Sequence, residues 1–401
     1  MTSTDFGVYV HFPYCRQRCS YCDFAVAVHP QIPHEDYLRA LLHELDAKAS
    51  LFAGRRAVSV YFGGGTPSLW QPECLDIALS RIAAVFPSPG GVSREVTLEC
   101  DPGEVSSAQL AAWRRAGVTR LSIGAQSFSQ DKLIALRRQH QPQHIVELVE
   151  QARQAGFARV SLDLLVGMPQ QTLAELSDDL DKLLALHPEH VSLYQLTVEP
   201  HTLLSVQIRR GEQRPPCPEL QADAYDLVRA TLADAGFRHY EISNFARARP
   251  GDPDLRAVHN RLYWTQGEYL GLGVSAHSFR RLPDATAERF ANQRGPSSYL
   301  RTWQKPSSQP FLLSEQEPSL SLYELRDRES LWKEALWLAL RELDGVRYDQ
   351  FVALHGRDPR VLCADTLSSL VARGLIEADS DGVRLSTQGV LFADEVGAAF
   401  L

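Results

Sequence analysis

No apolar run in this chain approaches the ~20 residues that a membrane span requires, and its first residues, MTSTDFGVYVHF, lack the basic start and apolar stretch of a secretory signal. These absences predict a cytoplasmic protein. Basic charge is also short: 41 Lys+Arg stand against 49 Asp+Glu, for a formal charge of -8. Clustered cations are what neutralise phosphates, so no nucleic-acid partner is expected. Internal repeats and low-complexity tracts are missing too. With 44% hydrophobic and 22% charged residues in 401, a soluble globular chain with more than one domain is expected. The seven cysteines are an odd number, and a reducing compartment disfavours disulfides, which leaves metal ligation as the question to ask of them.

The first half alternates short apolar runs with amphipathic stretches, the pattern of βα units around a parallel sheet. Six strands are predicted at 6–11, 57–62, 95–99, 118–124, 158–165 and 190–196, with helices at 35–52, 72–85, 106–116, 143–155 and 172–186. Thr172 and Glu175 form a capping box at the start of the last helix, and Gly117 and Gly156 follow two others. The fold class expected is α/β, a full or partial TIM-like barrel of six βα units spanning residues 1–200. Residues 201–328 read as a segment covering one end of the barrel, with a helix near 218–235 and a loop from Ala246 to Asp254. Residues 329–401 carry helices near 329–343, 348–355 and 360–373, then a hairpin turning at Asp381-Gly382, which suggests a small winged-helix-like module. That module holds 7 Lys+Arg against 12 Asp+Glu, which argues for packing or protein interaction over DNA reading.

Three of the seven cysteines, Cys15, Cys19 and Cys22, lie within eight residues as C-x3-C-x2-C directly after the first predicted strand. Offsets of four and three let thiolates converge from one loop onto a cluster, and three ligands leave one iron of a 4Fe-4S cube open. A zinc knuckle with His29 as a fourth ligand is the alternative. Cys74, Cys100, Cys217 and Cys363 are isolated and read as small buried hydrophobes. Gly63-Gly64-Gly65-Thr66-Pro67 ends the second predicted strand, where consecutive glycines let backbone groups approach a ligand. Glu99, Gln126 and Asp163 fall at or near the ends of later strands, with Arg138 shortly after the fourth, where carboxylates and amides can bind hydroxyl and amino groups and Arg a carboxylate.

The C-x3-C-x2-C array with Tyr21 between its last two cysteines resembles the radical S-adenosylmethionine (SAM) superfamily. The resemblance implies a partial βα barrel and an open iron that SAM chelates. Tyr9-Val-His-Phe-Pro13, GGGTP, Glu99-x-Asp101-Pro102, Gly124-x-Gln126-Ser-Phe128, Arg138 and Asp163-Leu-Leu-Val-Gly167-Met-Pro169 resemble the oxygen-independent coproporphyrinogen III oxidases and their paralogues. That resemblance implies SAM contacts from Tyr9, Tyr21, Gly64, Gly65, Thr66, Glu99, Gln126, Arg138, Asp163 and Thr197, with Arg137 as a solvated neighbour. The oxidases carry a further Cys two residues after the array and an extension before it; here position 24 is Phe and fourteen residues precede Cys15.

His259-Asn260-Arg-Leu-Tyr263-Trp264 resembles the HNxxYW signature of the haem-chaperone paralogues, the HemW type. The resemblance implies a haem-binding protein, often a dimer, that hands haem to respiratory haemoproteins, some at the membrane. His259 is then the candidate iron ligand, with Asn260, Tyr263 and Trp264 around the haem and His277 lining the SAM site. The competing reading is an enzyme that oxidatively decarboxylates porphyrinogen propionates.

Overall fold

Apolar residues recur at every second position of the first strand, Phe6, Val8 and Val10, and all are fully buried. The same alternation repeats along five further strands, and it sets the architecture. In a computed structural model that describes residues 4–87, 94–251, 253–306 and 311–401, these become β1 (Asp5–Phe12), β2 (Arg56–Gly64), β3 (Glu95–Cys100), β4 (Arg120–Gln126), β5 (Val160–Val166) and β6 (His190–Gln195). They lie side by side in chain order, every adjacent pair parallel, with register partners such as Val8 with Val60 and Leu98 with Leu121. Parallel neighbours need crossovers, and helices His34–Lys48, Pro72–Val85, Ser107–Ala116, Pro142–Gln154 and Leu173–Ala185 fall between the strands. Their starts follow local chemistry. Thr172 and Glu175 cap each other's backbone N–H, as do Ser106 and Gln109, and Gly117 ends a helix at φ 104°.

All six predicted strands are present, and the larger shifts in their ends come where a turn separates helix from strand. The segment after Pro200 departs from the covering role expected of it, because it extends both edges of the same sheet. Strands β7 (Phe237–Glu241) and β8 (Asn244–Arg247) form a hairpin whose second strand pairs antiparallel with β6. The expected loop from Ala246 therefore begins inside a strand, and Asp252 within it lies outside the described residues. At the other edge β9 (Glu268–Gly273) pairs parallel with β1, a seventh parallel strand, followed by antiparallel β10 (His277–Arg281), β11 (Ala287–Asn292) and β12 (Leu320–Arg326). The short segment 268–273, with three glycines nearby and no helix leading into a following strand, carries little periodic signal.

Lys48 and Glu44, both fully buried, anchor this edge. Lys48 Nζ donates to Glu44 Oε1 and Asn292 Oδ1, each at 2.6 Å, while Glu44 Oε2 accepts from Gly273 N and the Tyr299 hydroxyl. A buried pair whose remaining lone pairs are satisfied can persist without an uncompensated charge. The C-terminal residues form helices Arg328–Ala339, Tyr348–His355, Pro359–Leu362 and Ala364–Ala372 around a three-stranded sheet, with two short helices after it. This module docks through Gln266 Nε2 to Leu331 O at 2.9 Å, Arg261 Nε to Glu342 Oε1 at 2.6 Å and the Arg341 guanidinium over the Trp264 ring.

Candidate functional site

The cysteines converge because the chain folds back on itself after β1. Tyr14–Cys15 pairs with Ala27–Val28, and the loop between them is pinned by Ser20, whose N–H donates to Leu136 O at 3.1 Å and whose carbonyl accepts from Leu204 N at 2.7 Å. Cys15, Cys19, Tyr21 and Cys22 then face a cavity of about 390 Å³ at the C-terminal ends of the parallel strands, the rim where ligands bind in parallel α/β folds. The Thr66 hydroxyl lies 3.5 Å from Cys15 Sγ and Arg138 Nη1 3.6 Å from Cys19 Sγ. Burial pushes the Cys15 thiol up to about 11 against the Thr66 contact, with Cys22 and Cys19 adding to it, and burial also raises Cys22. A bound metal ion would lower thiols raised in this way by stabilising their thiolates.

The glycine turn has a steric reason. A Cβ on Gly64, whose φ is 111°, would meet the His11 ring at 2.7 Å, and one on Gly65 would meet Tyr14 O at 2.7 Å and Cys15 Sγ at 3.0 Å. The glycines thus let β2 pass directly beneath the cysteine loop. Glu99 reaches the same cavity: Tyr61 Oη donates to its Oε1 at 2.8 Å and Gly64 N to its Oε2 at 3.2 Å. Burial, with the nearby Asp163 carboxylate adding, pushes Glu99 up to about 7 despite the Tyr61 bond. Asp163 is also raised by burial and accepts from Ser122 Oγ at 3.1 Å. Gln126 ends β4 at φ 65°, a left-handed conformation for a non-glycine residue, next to Gly124, where a Cβ would crowd its amide and Arg138.

Of the ten residues that the resemblance assigns to SAM, nine line this cavity: Tyr21, Gly64, Gly65, Thr66, Glu99, Gln126, Arg138, Asp163 and Thr197. Tyr9 does not. Its hydroxyl bonds His11 Nδ1 at 3.0 Å and it borders a neighbouring groove, which also takes His277 away from the position expected for it. Arg138 differs in partner. Its Nη2 pairs with Asp101 Oδ2 at 2.9 Å and donates to Gly124 O at 3.0 Å, while its Nε is buried without a partner. Burial opposes both charges, yet Arg138 and His140 hold Asp101 well below the carboxylate range. The fourth ligand a zinc knuckle would need finds no support: His29 is exposed, with Nδ1 accepting from Gln31 N.

The HNxxYW residues lie elsewhere. They form helix Val258–Trp264 at the opposite end of the strands, where His259 is buried against the start of β2. Ser59 Oγ lies 2.8 Å from its Nδ1 and Tyr263 Oη 2.9 Å from its Nε2, and burial, with Arg120 nearby, lowers it to about 3. Both ring nitrogens are taken, so His259 is not free to ligate iron as expected. Trp264 packs under Arg341, leaving Asn260 half-buried and Tyr263 on the groove. Tyr61 and Ser59 are neighbours of the site that the sequence reading did not name, and Asp101 and Ser122 are ones to which it gave no role.

Residues 9–183 match the Radical SAM superfamily and residues 327–392 the HemN C-terminal domain. The chain is 33% identical to the heme chaperone HemW of Escherichia coli strain K12, over 98% of each. The chain belongs to the HemW family. It is also 34% identical to the mitochondrial radical S-adenosyl methionine domain-containing protein 1 of Bos taurus, over 97% of this chain and 86% of that one. Among solved structures, the coproporphyrinogen III oxidase HemN from Escherichia coli superposes with a TM-score of 0.81 at 24% identity, covering 99% of this chain and 90% of that chain, and shows the shared fold.

The radical SAM superfamily implies a 4Fe-4S cluster and SAM, and the residues of this HemW-family chain fit both. Three thiols on one cavity wall are the soft donor set that iron takes, and two half-buried carboxylates with hydroxyl and amide partners suit the ammonium and hydroxyl groups of SAM. No helix among the described residues is long and apolar enough to cross a membrane.

Proposed function

We propose that this protein is a haem chaperone: it binds haem and delivers it to recipient haemoproteins of the respiratory chain, while a 4Fe-4S cluster and SAM occupy the barrel cavity. The observation that carries the reading is identity along essentially the whole chain to a heme chaperone, in a sequence whose residue 24 is an exposed Phe and not a fourth cysteine. Cys15, Cys19 and Cys22 would hold the cluster, which supplies an electron to the SAM sulfonium when both are bound. Tyr21, Gly64, Gly65, Thr66, Gln126 and Thr197 would hold SAM by shape and backbone contact. Glu99 and Asp163 would take its hydroxyl and ammonium groups, and the unpartnered Nε leaves Arg138 one donor for its carboxylate. The reading places the protein in the cytoplasm as a homodimer that meets its recipients at the membrane, and divides it near residues 200 and 328.

The competing reading is oxidative decarboxylation of coproporphyrinogen III, which the HemN fold alone does not favour. Reconstituted protein offered haem in one experiment and coproporphyrinogen III with SAM and reductant in another separates the two. Haem uptake without protoporphyrinogen formation is expected.

A further inference from the structure

A groove of about 670 Å³ opens beside the cluster cavity and shares Arg18, Asp23, Phe24 and Val26 with it. Its aromatic walls are Phe24, which is 58% exposed, and Tyr263 and Tyr269, whose rings meet edge to face at 4.7 Å. At its edge stand two guanidiniums. Arg294 is exposed and forms no ion pair among the described residues, and Arg18 donates only to Cys22 O at 3.2 Å. Among the described residues, Asp23 is the one carboxylate lining the groove.

Two histidines line the groove, His11 and His277, and His259 stands behind Tyr263; of these three, two are spent. His11 is held by Tyr9 and Ala25 O, and His259 by Ser59 and Tyr263. The His277 ring is exposed on the groove and makes no hydrogen bond among the described residues. It follows a strained turn: Gly273 has φ 93° and a Cβ there would meet His11 O at 2.5 Å, and Ser275 has φ 57°. Backbone strain of this kind clusters where a side chain must be aimed at a ligand. Burial, together with Arg289 and Arg294, lowers His277, and Glu324 opposes them.

A flat apolar macrocycle, a metal that takes neutral imidazole and two carboxylates on one edge are what this set of groups complements. We infer that the groove is the haem site, with His277 as the iron ligand, Arg294 and Arg18 facing the propionates, and Phe24 and Tyr263 against the macrocycle. This rests on the haem-binding reading above. It gives the HNxxYW helix a part through Tyr263 at the groove, with His259 bracing that tyrosine from behind. It also sets the haem one side chain, Phe24, from the cluster cavity.

The test titrates haem, and separately iron-free protoporphyrin IX, into the full reconstituted chain and its His277→Gln and Arg294→Gln variants. Both residues are exposed, so unchanged melting temperature and iron–sulfur absorbance serve as the folding control. H277Q is expected to weaken haem binding about tenfold or more and to shift the Soret band while leaving protoporphyrin IX affinity intact; R294Q is expected to weaken both about tenfold. Wild-type haem affinity and an unchanged Soret band in both variants would overturn the groove assignment and leave the haem reading standing. Absence of haem uptake by the unmodified protein would overturn both.

Discussion

Tyr61 donates its hydroxyl to Glu99 Oε1 across 2.8 Å, and this bond holds a half-buried carboxylate at the edge of the cluster cavity. Burial raises Glu99 from its ordinary 4.5 to about 7. A carboxyl raised on folding costs nothing at low pH, where both states are protonated; its penalty grows as pH rises above about 4.5 and is complete above about 7. Glu99→Gln is therefore expected to raise stability at pH 8 by about 1–3 kcal/mol without cofactor, with little gain at pH 5, and to weaken SAM binding. Thermal melts at the two pH values and SAM calorimetry check both halves. A carboxylate that destabilises the free protein but is needed for its ligand is what a binding residue looks like.

The Arg138–Asp101 pair has the opposite sign. Asp101 sits well below its ordinary 3.8, so its contribution is present above that pH and is lost as pH falls below it. Arg138→Gln leaves a half-buried carboxylate facing an amide and is expected to cost about 1–3 kcal/mol at neutral pH. In the variant Asp101 titrates at a higher pH, so acid unfolding begins at a higher pH than in the unmodified protein. Denaturant unfolding across a pH series reads both effects.

Replacing Cys15, Cys19 or Cys22 singly by Ser is expected to abolish the iron–sulfur absorbance after reconstitution. Cys74 and Cys363, which are buried away from the cavity, should tolerate Ser with the absorbance unchanged. Visible spectra and iron content distinguish the two groups. A full cluster in all three array variants would dismiss the ligand set.

His259→Ala removes a ring that bridges Ser59 and Tyr263 and leaves a cavity in the barrel floor. A loss of about 2–4 kcal/mol is expected. Per folded molecule, the variant is expected to keep the Soret position of the unmodified haem complex, which a lost iron ligand would move. Denaturant melts and haem difference spectra measure the two separately.

The cluster loop and the six strands were legible because each carries a dense local signal: three thiols in eight residues, and apolar runs separated by capped helices. The barrel interior was legible in principle as well. Ser59 and Tyr61, Thr97 and Glu99, Ser122, Gly124 and Gln126, Ser161 and Asp163, and Ser192 and Tyr194 occupy alternate positions of successive strands, opposite the buried Val60, Leu98, Ile123, Leu162 and Leu193. That polar face marks a lined interior, and it names Tyr61 and Ser122, which family resemblance alone did not. What stayed hidden depends on contacts far apart in sequence. Nothing near residue 138 announces that its partner is Asp101, and nothing near His259 says that Ser59, 200 residues away, takes its Nδ1. The pairing of β9 with β1 is of the same kind, a long-range neighbour with no local sign.

The most direct measurement is made on one anaerobic preparation of the reconstituted protein, divided between a haem titration and an incubation with coproporphyrinogen III, SAM and reductant. Stoichiometric haem binding with no protoporphyrinogen product is the result this account predicts; formation of protoporphyrinogen, or no haem binding, would contradict it.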